Sequence, residues 1–256
     1  MIQIEAPLVE RRIDGAIQEL RLHAPELTKL LQPGQPVLIR TSWGMSPFLR
    51  RTFYPVALAE DSFLIRVPPS GDRGFAWLRM APIGARLDCM GPVGRGFALP
   101  QHVRRVLCLG EGEWAWVLLP VIEQAVRDRL SVTLAVEARP SRHPIPARRL
   151  PLAVEYRLFG TDRGRGKEER LSARFPELLP WADVVFAAGS PEFYAGLRDS
   201  IEVERVHFAA GFAQVLHPAH FFCGFGACQA CATDVAGGRR RVCLRGPVFD
   251  LFDYFR

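Results

Sequence analysis

Cys223-Gly-Phe-Gly-Ala-Cys228-Gln-Ala-Cys231, separated by eleven residues from Cys243, decides how the C-terminal end of the chain is built. The spacing C-x4-C-x2-C with a fourth cysteine downstream is the plant-type [2Fe–2S] pattern. A loop of this length wraps one edge of a cluster and delivers three thiolates. Gly224 and Gly226 permit positive φ and keep bulk away from the sulfurs, so backbone N–H groups can reach them. Such donors would stabilise the extra negative charge of a reduced cluster. Thr233 to Val242 contains Gly237-Gly238 and reads as a hairpin that returns Cys243 to the other three. Two other readings stay open. Zinc favours paired C-x2-C knuckles, and one such pair is present. A disulfide knot belongs to short secreted chains. His207, His217 and His220 lie close by but do not form the mixed Cys/His pairs of a Rieske centre; each reads as a satisfied core or surface histidine.

Outside the cluster, Cys89 and Cys108 fall in strand-like apolar stretches and read as inert core residues. The chain has 256 residues, 48% hydrophobic and 23% charged, which supports a real core and excludes wholesale disorder. No apolar run reaches the roughly 18 to 20 residues of a membrane helix. The opening, Met1 to Ile13, lacks the basic-then-apolar order of a secretory signal, so a cytoplasmic protein without a membrane span is expected. The formal net charge is +6, and Lys29 and Lys167 are the only lysines. Basic residues are scattered, with local density at Arg139–Arg149, Arg163–Arg174 and Arg239–Arg241. No basic helix with interleaved aromatics is present, which argues against nucleic acid. A solvated face or a dock for an acidic protein partner fits better.

The pattern ahead of the cysteines changes once. Ala16–Leu22, Gln35–Thr41, Phe53–Leu58, Ser62–Val67 and Ala85–Met90 are short runs with partial alternation, broken by Pro33-Gly34, Pro68 to Gly71 and Gly91-Pro92, with one short helix at Gly74–Met80. These features predict a small barrel. After Pro100 strands and helices alternate. Arg105–Leu109, Ser131–Glu137, Leu152–Phe159, Asp183–Ala188 and Arg205–Ala209 read as strands; Trp114–Arg129 and Pro191–Ile201 read as helices, and Gly160–Arg170 as a polar loop. That rhythm predicts a parallel sheet with crossovers. The expected fold class is multidomain α+β. It has an N-terminal β-barrel over 1–100, an α/β nucleotide-binding-type domain over 101–212 and a C-terminal [2Fe–2S] cysteine subdomain over 213–256.

This order resembles the electron-transfer subunit of class 1B dihydroorotate dehydrogenase, within the ferredoxin-reductase superfamily. The tail carries the resemblance: Cys223 to Cys231, then Val242-Cys243-Leu244-Arg245-Gly246-Pro247-Val248-Phe249-Asp250. Gly91-Pro92-Val93-Gly94-Arg95-Gly96-Phe97 is similar to the family's junction between barrel and sheet. The resemblance implies FAD in the barrel, a [2Fe–2S] cluster on Cys223, Cys228, Cys231 and Cys243, and a catalytic partner holding FMN that oxidises dihydroorotate in pyrimidine biosynthesis. It implies a redox relay subunit, an oxidoreductase component that is not catalytic alone and has no catalytic residues of its own. Two alternatives remain: a relay for a hydrogenase or sulfide-linked complex, and an interaction protein that keeps the cluster but has lost flavin and NAD.

Two nucleotide sites depart from the family. In Arg50-Arg51-Thr52-Phe53-Tyr54-Pro55 the resemblance places Arg51 at the flavin phosphate, with Phe53 and Tyr54 beside it. Tyr54 stands where a small hydroxyl residue belongs. In Gly71-Asp72-Arg73-Gly74-Phe75, Gly74 is kept while Phe75 replaces a second hydroxyl. FAD is expected in a modified site. NAD is not expected in the usual pocket. There Gly110-Glu111-Gly112-Glu113-Trp114 puts two carboxylates and an indole where a glycine turn meets phosphate, and electrons would then enter from another carrier.

Overall fold

The computed structural model describes residues 1–42, 44, 46–138, 145–160, 170–204 and 209–255. Its contacts gather into two units. One comprises Met1–Gly96 with Pro218–Thr233 and Arg239–Pro247; the other comprises Phe97–His217 with Asp234–Gly238 and Val248–Arg256. The stretch from 213 onward, read as the cluster subdomain, contributes to both units. A segment of that length has too little apolar surface to bury a core of its own and must borrow one.

The first unit starts with β1 (Ile2–Asp14) and β2 (Ile17–His23), the short helix α1 (Pro25–Thr28), and β3 (Val37–Ile39). It continues with β4 (Arg51–Phe53), β5 (Ala57–Leu58), β6 (Ser62–Val67), α2 (Arg73–Met80) and β7 (Arg86–Gly91). The strands form one antiparallel sheet in the order β4-β3-β7-β1-β2-β6-β5. The sheet curls but does not close, because β4 and β5 remain as edges, so the expected barrel is a half-barrel. β1 serves two partners. Its first half pairs with β7, its second with β2, and a register shift between Leu8 and Glu10 lets one strand turn the corner. Ala6, Leu8, Leu20, Leu22, Phe63, Ile65 and Leu87 fill the concave side. The expected strand Phe53–Leu58 is two strands, because Pro55 has no N–H to give the ladder.

In the second unit, β8 (Arg105–Glu111) leads into a 3-10 helix over Gly112–Leu118, then α3 (Leu119–Arg127) and β9 (Ser131–Ala138). The long helix expected from Trp114 is therefore split. Pro120 sits in the first turn of α3, where its missing N–H costs nothing. β10 (Val154–Gly160), α4 (Phe175–Leu178), β11 (Val184–Ala188), α5 (Pro191–Glu204) and β12 (Ala213–Leu216) follow. The chain next makes the hairpin β13 (Ala232–Val235) and β14 (Gly238–Arg241) and the single turn α6 (Val242–Arg245). It ends with β15 (Val248–Asp250) and α7 (Leu251–Tyr254). The sheet order is β10-β9-β8-β11-β12-β15, parallel throughout except for β15, which runs antiparallel to β12. Val106–Leu109, Val132–Val136 and Val184–Ala188 are buried, as strands covered on both faces require. Chain order reverses between β8 and β11, which makes their carboxyl ends the switch point of this sheet. Most of the strand expected at Arg205–Ala209 and most of the loop Gly160–Arg170 lie outside the described residues, as does His207. Among the described residues no helix is long and apolar enough to cross a membrane.

Candidate iron–sulfur and flavin sites

The four cysteines fall into two pairs. The Cys228 N–H points at the Cys223 sulfur at 3.5 Å, and the Cys243 N–H points at the Cys231 sulfur at the same distance. The loop can turn its own N–H groups, that of Cys228 among them, because Gly224 and Gly226 take positive φ, 75° and 86°. A Cβ on Gly226 would meet Leu244 Cδ1 at 2.6 Å. Arg241 donates to the Gly226 carbonyl at 2.9 Å and fastens the hairpin to the loop. The Val242 N–H binds the Cys231 carbonyl, which sets Cys243 beside Cys231.

Burial alone would raise the Cys223 thiol. The N–H groups of Cys228, Phe225 and Ala227 and the Cys228 side chain outweigh it and bring the thiol down to about 6. Cys243 goes the other way, pushed up to about 12 by burial and by the neighbouring Cys231 and Cys223, with the Gly226 N–H opposing. The Cys223 environment thus favours the thiolate, while burial and the neighbouring sulfurs disfavour it at Cys243. Cys231 and Cys243 are buried, while Cys228 is exposed. Among the described residues no three of His, Cys, Asp and Glu form a group that would hold a single metal ion. Cys89 and Cys108 are fully buried, and burial pushes both thiols up, as inert core residues require.

The cysteine loop is sewn to the half-barrel. The Phe221 N–H donates to Thr52 Oγ1 at 2.9 Å. Tyr54 is half-buried, with its hydroxyl out of solvent; that burial raises its phenol, and the Ala219 backbone opposes the rise. The Arg95 N–H binds the Gly246 carbonyl, and a Cβ on Gly94 would lie 1.9 Å from that same oxygen. Gly91–Phe97 and the stretch after Cys243, two motifs far apart in sequence, therefore meet in space.

Arg51, Thr52, Asp72, Phe75, His220, Phe221 and Phe222 surround a cleft of about 350 Å³. Arg51 Nη2 lies 2.9 Å from Asp72, and Asp72 Oδ1 caps α2 by accepting from the Gly74 and Phe75 N–H groups. The Arg51 guanidinium beside it, against some opposing burial, holds the Asp72 carboxyl below the usual range. Phe53 is buried and packs edge-on against Phe75 at 5.4 Å. Gly74 leaves a small cradle: a Cβ there would lie 2.3 Å from Thr41 Oγ1, a buried hydroxyl with no hydrogen-bond partner. Of the flavin residues read from sequence, Arg51 faces this cleft and Gly74 stands at the helix start beside it. Phe53 packs against Phe75, and neither Phe53 nor Tyr54 lines the cleft. Sequence reasoning missed Asp72, whose place before Gly74 at a helix start was the available signal. His217 Nδ1 lies 2.8 Å from the Tyr254 hydroxyl, and partial burial lowers its pKa, so it is a half-buried, hydrogen-bonded histidine.

The fold defined by these two sheets is that of the ferredoxin-reductase class. The structure of an NADH-dependent reduced ferredoxin–NADP oxidoreductase superposes with a TM-score of 0.75 at 21% identity, over 97% of this chain and 88% of that one. A ferredoxin NADP+ reductase from Neisseria gonorrhoeae with bound FAD and NADP gives 0.60 at 16% identity, over 83% and 97%. Within that class the chain is similar to electron-transfer subunits of dihydroorotate dehydrogenase B (NAD(+)). It is 26% identical to the Streptococcus mutans subunit over 254 residues, 94% of this chain and 93% of the relative. Identity to the Desulforamulus reducens subunit is 23%, over 90% and 89%. Residues 219–253 match the family model for the iron–sulfur cluster binding domain of dihydroorotate dehydrogenase B.

Proposed function

We propose that this chain is the electron-transfer subunit of a dihydroorotate dehydrogenase B complex, passing electrons between FAD and a [2Fe–2S] cluster to or from an FMN-containing catalytic partner. The observation that carries the reading is the pairing of Cys223 with Cys228 and of Cys231 with Cys243, within the segment that matches the cluster-binding family. Two pairs of thiolates suit a two-iron cluster, with two cysteines to each iron. N–H groups aimed at the sulfurs suit a centre that gains negative charge on reduction.

Residues of the half-barrel cleft fit a flavin. Arg51 offers a cationic contact to a pyrophosphate beside the start of α2, where Asp72 holds the Gly74 and Phe75 N–H groups, and Phe75 and Phe221 offer apolar walls; Thr41 keeps an unused buried hydroxyl behind Gly74. Asp72 competes for the same cation. Bound together, the two groups supply a two-electron carrier and a one-electron carrier. The chain's own work is positional. Thr52 holds the start of the cysteine segment against the strand that carries Arg51. Phe222, Phe225 and Leu244 are exposed on the cysteine segment, and Arg239, Arg240, Arg241 and Arg245 line a cleft of about 650 Å³ beside it. Exposed aromatics and arginines on one segment make a suitable contact surface for the catalytic partner.

The test is reconstitution with the catalytic subunit of the same organism. Dihydroorotate should bleach the cluster absorbance anaerobically when both subunits are present, and Arg239→Glu with Arg240→Glu should weaken association in a salt-dependent way. A cluster that stays oxidised in a stable complex would refute the relay.

A further inference from the structure

The parallel sheet has its switch point between β8 and β11, where an open α/β sheet receives its ligand. In this chain the place is filled from within. Glu111 is the last residue of β8 and is buried, 8% exposed. Its Oε2 accepts the Ser190 N–H at 2.7 Å, so it reaches across to the loop that follows β11. The next donors are engaged as well. The Gly189 N–H goes to the Tyr194 hydroxyl at 2.7 Å, and the Phe193 N–H, in the first turn of α5, goes to Ser190 Oγ at 3.3 Å. On the other side of the switch point, Gly110 lies against Ala115 so closely that a Cβ would stand 2.4 Å from the Ala115 Cβ. The strand therefore runs directly into the 3-10 helix Gly112–Leu118, with no spread glycine turn over which a phosphate could settle. Glu137 stands opposite Glu111 in the register of β8 and β9, and its Oε2 accepts the Leu171 N–H at 2.9 Å.

We infer that Glu111 is a specificity determinant that closes the switch-point crevice to nicotinamide dinucleotides, so that this subunit, unlike the NAD(+)-linked relatives it is similar to, does not exchange electrons with NADH. The carboxylate accepts the N–H that a pyrophosphate oxygen would claim, and Glu137 adds a second carboxylate on the adjoining strand. Phosphate entering this position loses its donor and meets like charge in a partly buried place. The flavin and the cluster then exchange electrons only with protein-borne carriers. The inference rests on the crevice and stands whether or not the cysteines hold iron.

The test is a calorimetric titration with NADH of the full chain as purified, of Glu111→Gly and of Glu111→Gln, with the melting temperature recorded for each. Wild type should show no saturable binding up to about 1 mM NADH, a level at which NAD-linked sites are normally filled. Folded Glu111→Gly should gain binding by ~10-fold or more. Glu111→Gln should gain less, because its amide still accepts from Ser190, and it carries the test if the glycine variant does not fold. Wild type binding NADH with a micromolar Kd would overturn the inference, as would folded variants that gain nothing. Iron and flavin content, measured on the same samples, report on the relay reading separately.

Discussion

The cysteine loop and the switch-point crevice are both places where backbone N–H groups gather, and they are finished in opposite ways. In the loop, two glycines with positive φ turn the N–H groups of residues 225 to 228 toward sulfur. In the crevice the donors at Gly189, Ser190 and Phe193 are already taken by Tyr194, Glu111 and Ser190 itself. The first arrangement raises the affinity for a group that brings or acquires negative charge. The second satisfies the chain and leaves little for a ligand to gain. The flavin cleft lies between these extremes. Arg51 lines it beside the start of α2, yet Asp72 sits there as an internal anion that already holds Arg51 and the Gly74 and Phe75 N–H groups.

The contrast is most easily broken at the sulfurs. Cys231→Ser removes one ligand from a closed set of four, and iron and acid-labile sulfide should fall from about two each per chain to near zero, with loss of the visible chromophore. Retained iron at full stoichiometry would remove Cys231 from the ligand set. In the flavin cleft, Arg51→Ala should weaken FAD by ~10- to 100-fold in a fluorescence titration, the equivalent of roughly 1.5–3 kcal/mol for a charge-assisted contact. Unchanged affinity would mean that the pyrophosphate lies elsewhere. Gly226→Ala forces a side chain into the left-handed region and against Leu244, which costs about 1–2 kcal/mol from the backbone alone. A lower cluster-loss temperature with unchanged secondary structure is the expected result. The smallest effect sharpens the comparison most. Asp72→Asn keeps a helix cap but deletes the charge that competes for Arg51, so FAD should bind a few-fold more tightly. Weaker binding would show instead that Asp72 orients Arg51 for the flavin.

The cysteine motif was legible in the sequence because its information is local: spacing, glycine and a hairpin turn all act within a few residues. The alternation of β8 to α5 was legible for a similar reason, since buried parallel strands read as continuous apolar runs. β1 escaped because Glu5, Glu10, Arg11, Arg12 and Asp14 interrupt the apolar pattern on a strand that divides its pairing between two neighbours. The β15 edge escaped because three residues after a proline carry no periodicity, and only their pairing with β12 makes them a strand. Asp72 was in view as a residue, but its role comes from Arg51, 21 positions away, and no local pattern contains that contact. Likewise Glu111 read as a charge in a glycine turn. That it spans to Ser190 is a property of the sheet order, which sets β8 beside β11.

The central claim is a subunit that carries one two-iron cluster on four named cysteines. Its most direct test is metal and sulfide analysis of anaerobically purified protein, joined to electron paramagnetic resonance of the dithionite-reduced sample. The account predicts about two irons and two acid-labile sulfides per chain and a reduced signal of about one spin. Stoichiometric zinc, with no sulfide and no signal on reduction, would contradict it.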